Sequence, residues 1–147
     1  MKVELRLVPE RDEPALIVEA PALTPAVEEL LHRLEAMEDG TLPGFRGDQT
    51  FLLKAADIIR FYGENKAVFA QDGAGEHYEV KLRLYELEEK LDSRTFVRIS
   101  NSEIVNLKQV TALDLTLGGT IKMTLAGGTV CWVSRRNVKN IKRALGL

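Results

Sequence analysis

The chain has 147 residues, with 20 Lys+Arg against 22 Asp+Glu and 45% hydrophobic residues, the profile of a globular protein of one domain or slightly more. No apolar run approaches the roughly 20 residues of a membrane helix and no basic, apolar leader follows Met1, so the expected location is the cytoplasm. Cys131 stands alone, and with only His32 and His77 beside it there is neither a disulfide framework nor a Cys/His set for structural zinc; no metal and no cofactor are expected.

The net charge of −2 hides a division. Residues 1–92 hold 11 basic against 20 acidic side chains, whereas residues 93–147 hold nine basic ones against only Glu103 and Asp114. A net of −9 beside a net of +7 points to a polyanion partner for the basic part, unless the two parts fold together and their charges intermix on one surface.

In MKVELRLV, Val3, Leu5 and Leu7 alternate with charged residues, the period of a half-buried strand. After the PERDEP turn, Ala15-Leu16-Ile17-Val18 is its simplest hairpin partner. Thr24 as cap and Pro25 at the first position open a helix in which Val27, Leu30, Leu31, Leu34 and Met37 share a face until Gly40 ends it. That stripe packs on the hairpin or forms a dimer seam, because one hairpin and one helix make a very small core. Residues 41–48, with Pro43, Gly44 and Gly47, read as a linker. Short strands follow at 51–53, 57–62 and 66–71, with a turn at Gly63-Glu64-Asn65, and Asp72-Gly73-Ala74-Gly75 turns the chain into a strand at 77–82. LYELEEKL is a short amphipathic helix through Leu84, Leu87 and Leu91. Beyond it lie strands at 95–99, 104–105, 110–115, 120–125 and 129–133, the last two joined at Gly127-Gly128. Ser134 caps a final helix whose apolar stripe is Val138, Ile141 and Leu145. Many short strands with few helices give a mainly β, α+β class rather than a parallel α/β sheet.

No phosphate-cradling glycine loop, nucleophile elbow or zinc-peptidase histidine pair occurs, and neither His32 nor His77 has a partner group by spacing. An enzyme, and with it a small-molecule substrate, is therefore not expected. The C-terminal part instead breaks a local rule. Arg135 and Arg136 fall in the first turn of the last helix, where the positive end of the dipole disfavours cations by a few tenths to about 1 kcal/mol. Free amides and two guanidinium forks there make an anion site suited to phosphate or to a guanine edge; the alternative is a pair of solvated arginines matched with distant carboxylates. Ser100-Asn101-Ser102 is a polar loop directly after FVRI, and its Asn is either an ordinary turn former or a group for a base edge or the sugar–phosphate backbone.

Phe96-Val97-Arg98-Ile99-Ser100-Asn101-Ser102, then Ile104-Val105-Asn106, then Gly127-Gly128-Thr129 with Val133-Ser134-Arg135-Arg136 and a basic terminal helix, resembles the LytTR family of bacterial DNA-binding domains. The resemblance covers roughly residues 46–147 and takes in the upstream DIIRFYGENKAVFA and LYELEEKL. It implies small antiparallel β-sheets with short flanking helices, binding duplex DNA through loops rather than a recognition helix. Residues 1–45 then form an N-terminal ββα extension, for dimerisation or regulation. The chain is similar to the stand-alone subtype, in which such an extension stands in place of a phosphoacceptor receiver domain. That subtype is often encoded beside a small membrane protein, so this partner is implied as well.

By position, Asn101 matches the family's DNA-contacting Asn and Arg136 its base-contacting Arg. The third contact comes from around Lys66 to Val68. Val68 stands where members place a His, so this contact either turns apolar, to a thymine methyl, or passes to Asn65 or Lys66. Ser100 replaces the His common before the Asn. Lys139 and Lys142 are candidate phosphate contacts, joined by Arg135. The expected function is sequence-specific transcriptional regulation by a homodimer on repeated half-sites. Its rivals are a protein-interaction module with weak or lost specific DNA binding, and an RNA-binding β-module, for which no aromatic stacking platform is evident.

Overall fold

Two-residue alternation of apolar side chains generates the strands. The computed structural model, which describes residues 1–147 except for the side chains of residues 35–39, assembles seven of them into one antiparallel sheet. These are β1 (Thr41–Arg46), β2 (Gln49–Lys54), β3 (Ile58–Glu64), β4 (Ala67–Asp72), β5 (His77–Val80), β6 (Phe96–Ser100) and β7 (Glu103–Asn106), in the order β2-β1-β5-β4-β3-β7-β6. A second antiparallel sheet, β10-β9-β8, contains β8 (Val110–Asp114), β9 (Ile121–Leu125) and β10 (Val130–Val133). The helices are α1 (Pro25–Asp39), α2 (Leu84–Lys90) and α3 (Val138–Ala144), and no described helix is long and apolar enough to cross a membrane.

Two cores lie on opposite faces of β3, β6 and β7. One gathers Ile58, Phe61, Phe96 and Ile104 beneath Leu87 of α2, with Leu84 and Leu91 packed beside it. The other sets Ile59, Ile99 and Val105 against Ile121, Met123, Leu125, Cys131 and Val133 of the small sheet and Ile141 of α3. Consecutive Ile58 and Ile59 are each 1% exposed and serve opposite cores by ordinary strand alternation, and the register shift between Ile58 and Arg60 is what returns Phe61, three residues on, to the core of Ile58.

The N-terminal expectation fails in part. Thr24 does cap α1, its hydroxyl accepting the Val27 amide at 3.3 Å, but residues 1–24 form no strand. Val3, Leu5 and Leu7 are 82–87% exposed, because a two-stranded hairpin needs a surface to bury its apolar row and none covers them here; Met1 and residues 18–20 of this segment line a shallow groove with α1. Val27, Leu30 and Leu34 are half-buried and Leu31 is exposed, while Met37 lies outside the described side chains. The expected linker is also corrected. Residues 41–46 are β1, fully paired with β2, and Leu42 is a core residue. Gly44 is required there, since a Cβ would come within 2.5 Å of the Leu53 side chain. Pro43 is tolerated because β5 pairs with β1 only at Phe45, so no ladder partner needs its missing N–H.

Candidate nucleic-acid interface

β6 and β7 are joined by the two-residue turn Asn101-Ser102, and the register shift between Arg98 and Ser100 re-aims the chain just before it. The Ser100 hydroxyl closes the turn from inside, accepting the Ser102 amide at 3.3 Å. Arg98 holds the turn from behind. Its Nε donates to the Ser100 carbonyl at 2.8 Å and its Nη2 to the Asn101 carbonyl at 2.6 Å, while Nη1 is paired with Glu88 of α2.

Two backbone hydrogen bonds bring other segments to this turn. The Gly63 amide donates to the Ser102 carbonyl at 2.8 Å, which fixes the end of β3 and the β3–β4 hairpin beside it. That hairpin turns on Asn65 and Lys66, both left-handed at φ 50° and 65° as a type I′ turn requires, a conformation that costs Lys66 about 1–2 kcal/mol. Asn65, Lys66, Arg83, Arg98, Asn101 and Ser102 line one open cleft of about 670 Å³. From the other side, the Ser134 amide donates to the Ile99 carbonyl at 2.8 Å, and Arg136 then reaches Asn101, its Nη2 donating to Oδ1.

Arg135 and Arg136 do not open an α-helix as expected. They lie with Asn137 in a tight three-residue turn ahead of α3, and Ser134 makes no capping bond to the backbone; its hydroxyl accepts the Asn137 amide group at 2.6 Å. The helix-dipole argument therefore lapses, and the specific partner of Arg136 is Asn101. α3 buries Ile141 and leaves Lys139, Lys142 and Arg143 exposed. No described carboxylate comes within ion-pairing distance of Arg135, Lys139 or Lys142. The basic and acidic parts of the chain do intermix elsewhere, through Arg98 with Glu88 and Arg60 with Glu103 at 3.1 Å.

Val68 is 9% exposed and packs with Ala70 and Val80 in the core while one edge of it lines the same cleft as Lys66 and Asn101; the exposed groups of that hairpin are Asn65 and Lys66. Ser100 shapes the turn. Sequence reasoning missed Arg83, exposed in the cleft, and Arg98; the latter's signal is a cation two residues before a polar turn on a strand whose neighbours Phe96 and Ile99 are core residues. Cys131 has no chemical part here, as burial in the core pushes its thiol up to about 12.

The family model described as LytTr DNA-binding domain matches residues 48–146. Two proteins of Staphylococcus aureus, from strains MSSA476 and MW2, each described as an HTH-type transcriptional regulator, are 32% identical over 148 residues, covering 100% of this chain and 99% of their own length. A solved LytTr DNA-binding domain from Bacillus cereus has the same fold, with a TM-score of 0.70 at 18% identity over 74% of this chain and 98% of that domain. In the present chain strands separate α1, α2 and α3, and the described residues contain no helix-turn-helix pair.

Proposed function

The chain belongs to the LytTR DNA-binding domain family, and from that premise we propose that it is a transcriptional regulator which reads duplex DNA through the Asn101-Ser102 turn, Arg136 and the Asn65-Lys66 hairpin. The observation that carries this reading is the joining of Asn101 and Arg136, 35 residues apart, by a side-chain hydrogen bond on an exposed surface. Such a bond earns little stability in water, so its use is to set two polar groups for a partner. Arg135, Lys139, Lys142 and Arg83 surround the turn or continue from it as phosphate contacts, which fix register without reading sequence. The test is selection of random duplexes on the purified protein at a stated salt concentration. A recovered repeated motif supports the regulator, with its spacing giving the geometry of the bound copies. Only weak, salt-sensitive binding with no motif sinks it in favour of the interaction module.

The phosphate role has its own expected outcome. Lys142→Ala weakens binding to selected and scrambled duplexes alike and reduces the slope of log K against log salt by about one. An unchanged slope removes Lys142 from the contact set.

Residues 1–40 we read as the dimerisation arm. The half-buried stripe Val27, Leu30 and Leu34 and the exposed Leu31 support this, since an amphipathic helix that finds little to cover within its own chain gains by pairing. The same arm is the surface we assign to a membrane-protein partner. Ultracentrifugation of the full chain and of residues 41–147 is expected to give a dimer and a monomer; equal association of the two forms counts against the arm.

A further inference from the structure

The first eight residues carry a pattern that a single copy of the chain does not use. Val3, Leu5 and Leu7 form an apolar row open to solvent, and Lys2, Glu4 and Arg6 alternate with them. The Arg11 amide donates to the Val8 carbonyl at 3.1 Å, a turn that ends the run, and Pro9 has no N–H to extend a ladder. The run is complementary to itself when antiparallel. With a two-fold axis through Leu5, Val3 of one copy lies opposite Leu7 of the other, Leu5 opposite Leu5, and Glu4 opposite Arg6, the last pair occurring twice. Other registers lose this match. An axis at Glu4 or Arg6 sets like charges against each other, and an axis between two residues opposes apolar to charged side chains. An axis at Val3 leaves Arg6 and Leu7 unpaired, and one at Leu7 brings Glu4 against Glu10.

We propose that residues 2–8 of two copies pair as an antiparallel ribbon centred on Leu5, its apolar face laid on the two α1 stripes; this rests on the reading of residues 1–40 as the dimerisation arm. A two-stranded ribbon needs such a surface, and half-buried Val27, Leu30 and Leu34 with exposed Leu31 supply it. The lengths agree. Seven extended residues span about 23 Å, and the 15 residues of α1 span about 22 Å. The alternation that finds no sheet within one chain thus finds its partner strand in a second copy, and Glu4 with Arg6 fixes the register as well as the direction.

The experiment uses the full chain and reads the dimer dissociation constant by ultracentrifugation. Glu4→Arg and Arg6→Glu alone are each expected to weaken the dimer roughly tenfold, because each turns two attractive pairs into two repulsive ones. The double variant is expected to recover wild-type affinity, and an equimolar mixture of the two single variants to form a heterodimer of similar strength. Directly opposed strand residues lie about 4.5–5.5 Å apart at Cα, within disulfide reach, so position can be read by oxidation. Leu5→Cys is expected to cross-link to itself and Val3→Cys only to Leu7→Cys, while the wild type, whose Cys131 is buried, does not cross-link. Dimers indifferent to both charge reversals overturn the ribbon but leave the arm, which then associates through α1 alone. Preference of the wild type for the double variant over itself marks parallel pairing and also overturns it. So does cross-linking of Leu5→Cys to Leu52→Cys, since Leu52 is exposed on β2, an outer strand of the large sheet. A full chain that is monomeric and never cross-links overturns the arm reading too, which tells the two failures apart. The substituted residues are exposed and lie outside both cores, so thermal unfolding of the variant domains should match the wild type.

Discussion

Arg136→Ala is expected to lower affinity for the selected duplex by about 1–3 kcal/mol, that is roughly ten- to hundredfold, and to relax base preference at one step. The loss has two origins. On the proposed reading, the guanidinium fork offered to a base edge is removed, and the Asn101 oxygen loses the donor that orients its amide. Affinity for scrambled duplex falls much less, because sequence-independent binding comes from phosphate neutralisation by the surrounding cations. Competition titrations with selected and scrambled duplexes at one salt concentration separate the two effects. Equal losses on both would make Arg136 a phosphate contact, and wild-type selectivity would remove it from the site.

Local pattern carried most of the strands and α2, because alternation and heptad-like spacing reflect which face is buried. It failed where burial depends on a distant surface. The run containing Val3, Leu5 and Leu7 has perfect alternation but no sheet to join, whereas Thr41–Arg46 has Pro43 and Gly44, the residues of a linker, and is a sheet strand because every one of its residues pairs with β2, with Gly44 leaving room for the Leu53 side chain. In β4, Val68 shares a face with Ala70, and that two-residue spacing already marks it as core; only the positional match to the family suggested otherwise. The site was legible as two separate cues, a polar turn and an arginine pair. Their contact was not, for it depends on the Ser134–Ile99 and Gly63–Ser102 backbone bonds, which tie segments far apart in the sequence.

Asn106→Ala is expected to destabilise the fold by about 2–4 kcal/mol while leaving base preference intact. Asn106 belongs to the motif that carries the family resemblance, yet it is 1% exposed and lies inside the molecule. Its Nδ2 donates to the Ile58 carbonyl at 3.0 Å, and its Oδ1 accepts the Lys108 amide at 3.0 Å, so one side chain ties β7 to the start of β3 and to the turn leading into β8. Alanine leaves both backbone groups without that partner, and a buried carbonyl beside Ile58, at the point where the chain switches between the two cores, has little access to water. Urea unfolding should show a lower midpoint with an unchanged slope, the mark of lost stability rather than an altered unfolded state. The folded variant, assayed at low temperature, should still prefer the selected duplex over a scrambled one as strongly as the wild type. A loss of that preference without a loss of stability would move Asn106 from the scaffold into the reading surface. The opposite result separates the motif into a part that builds the turn and a part, Asn101, that uses it.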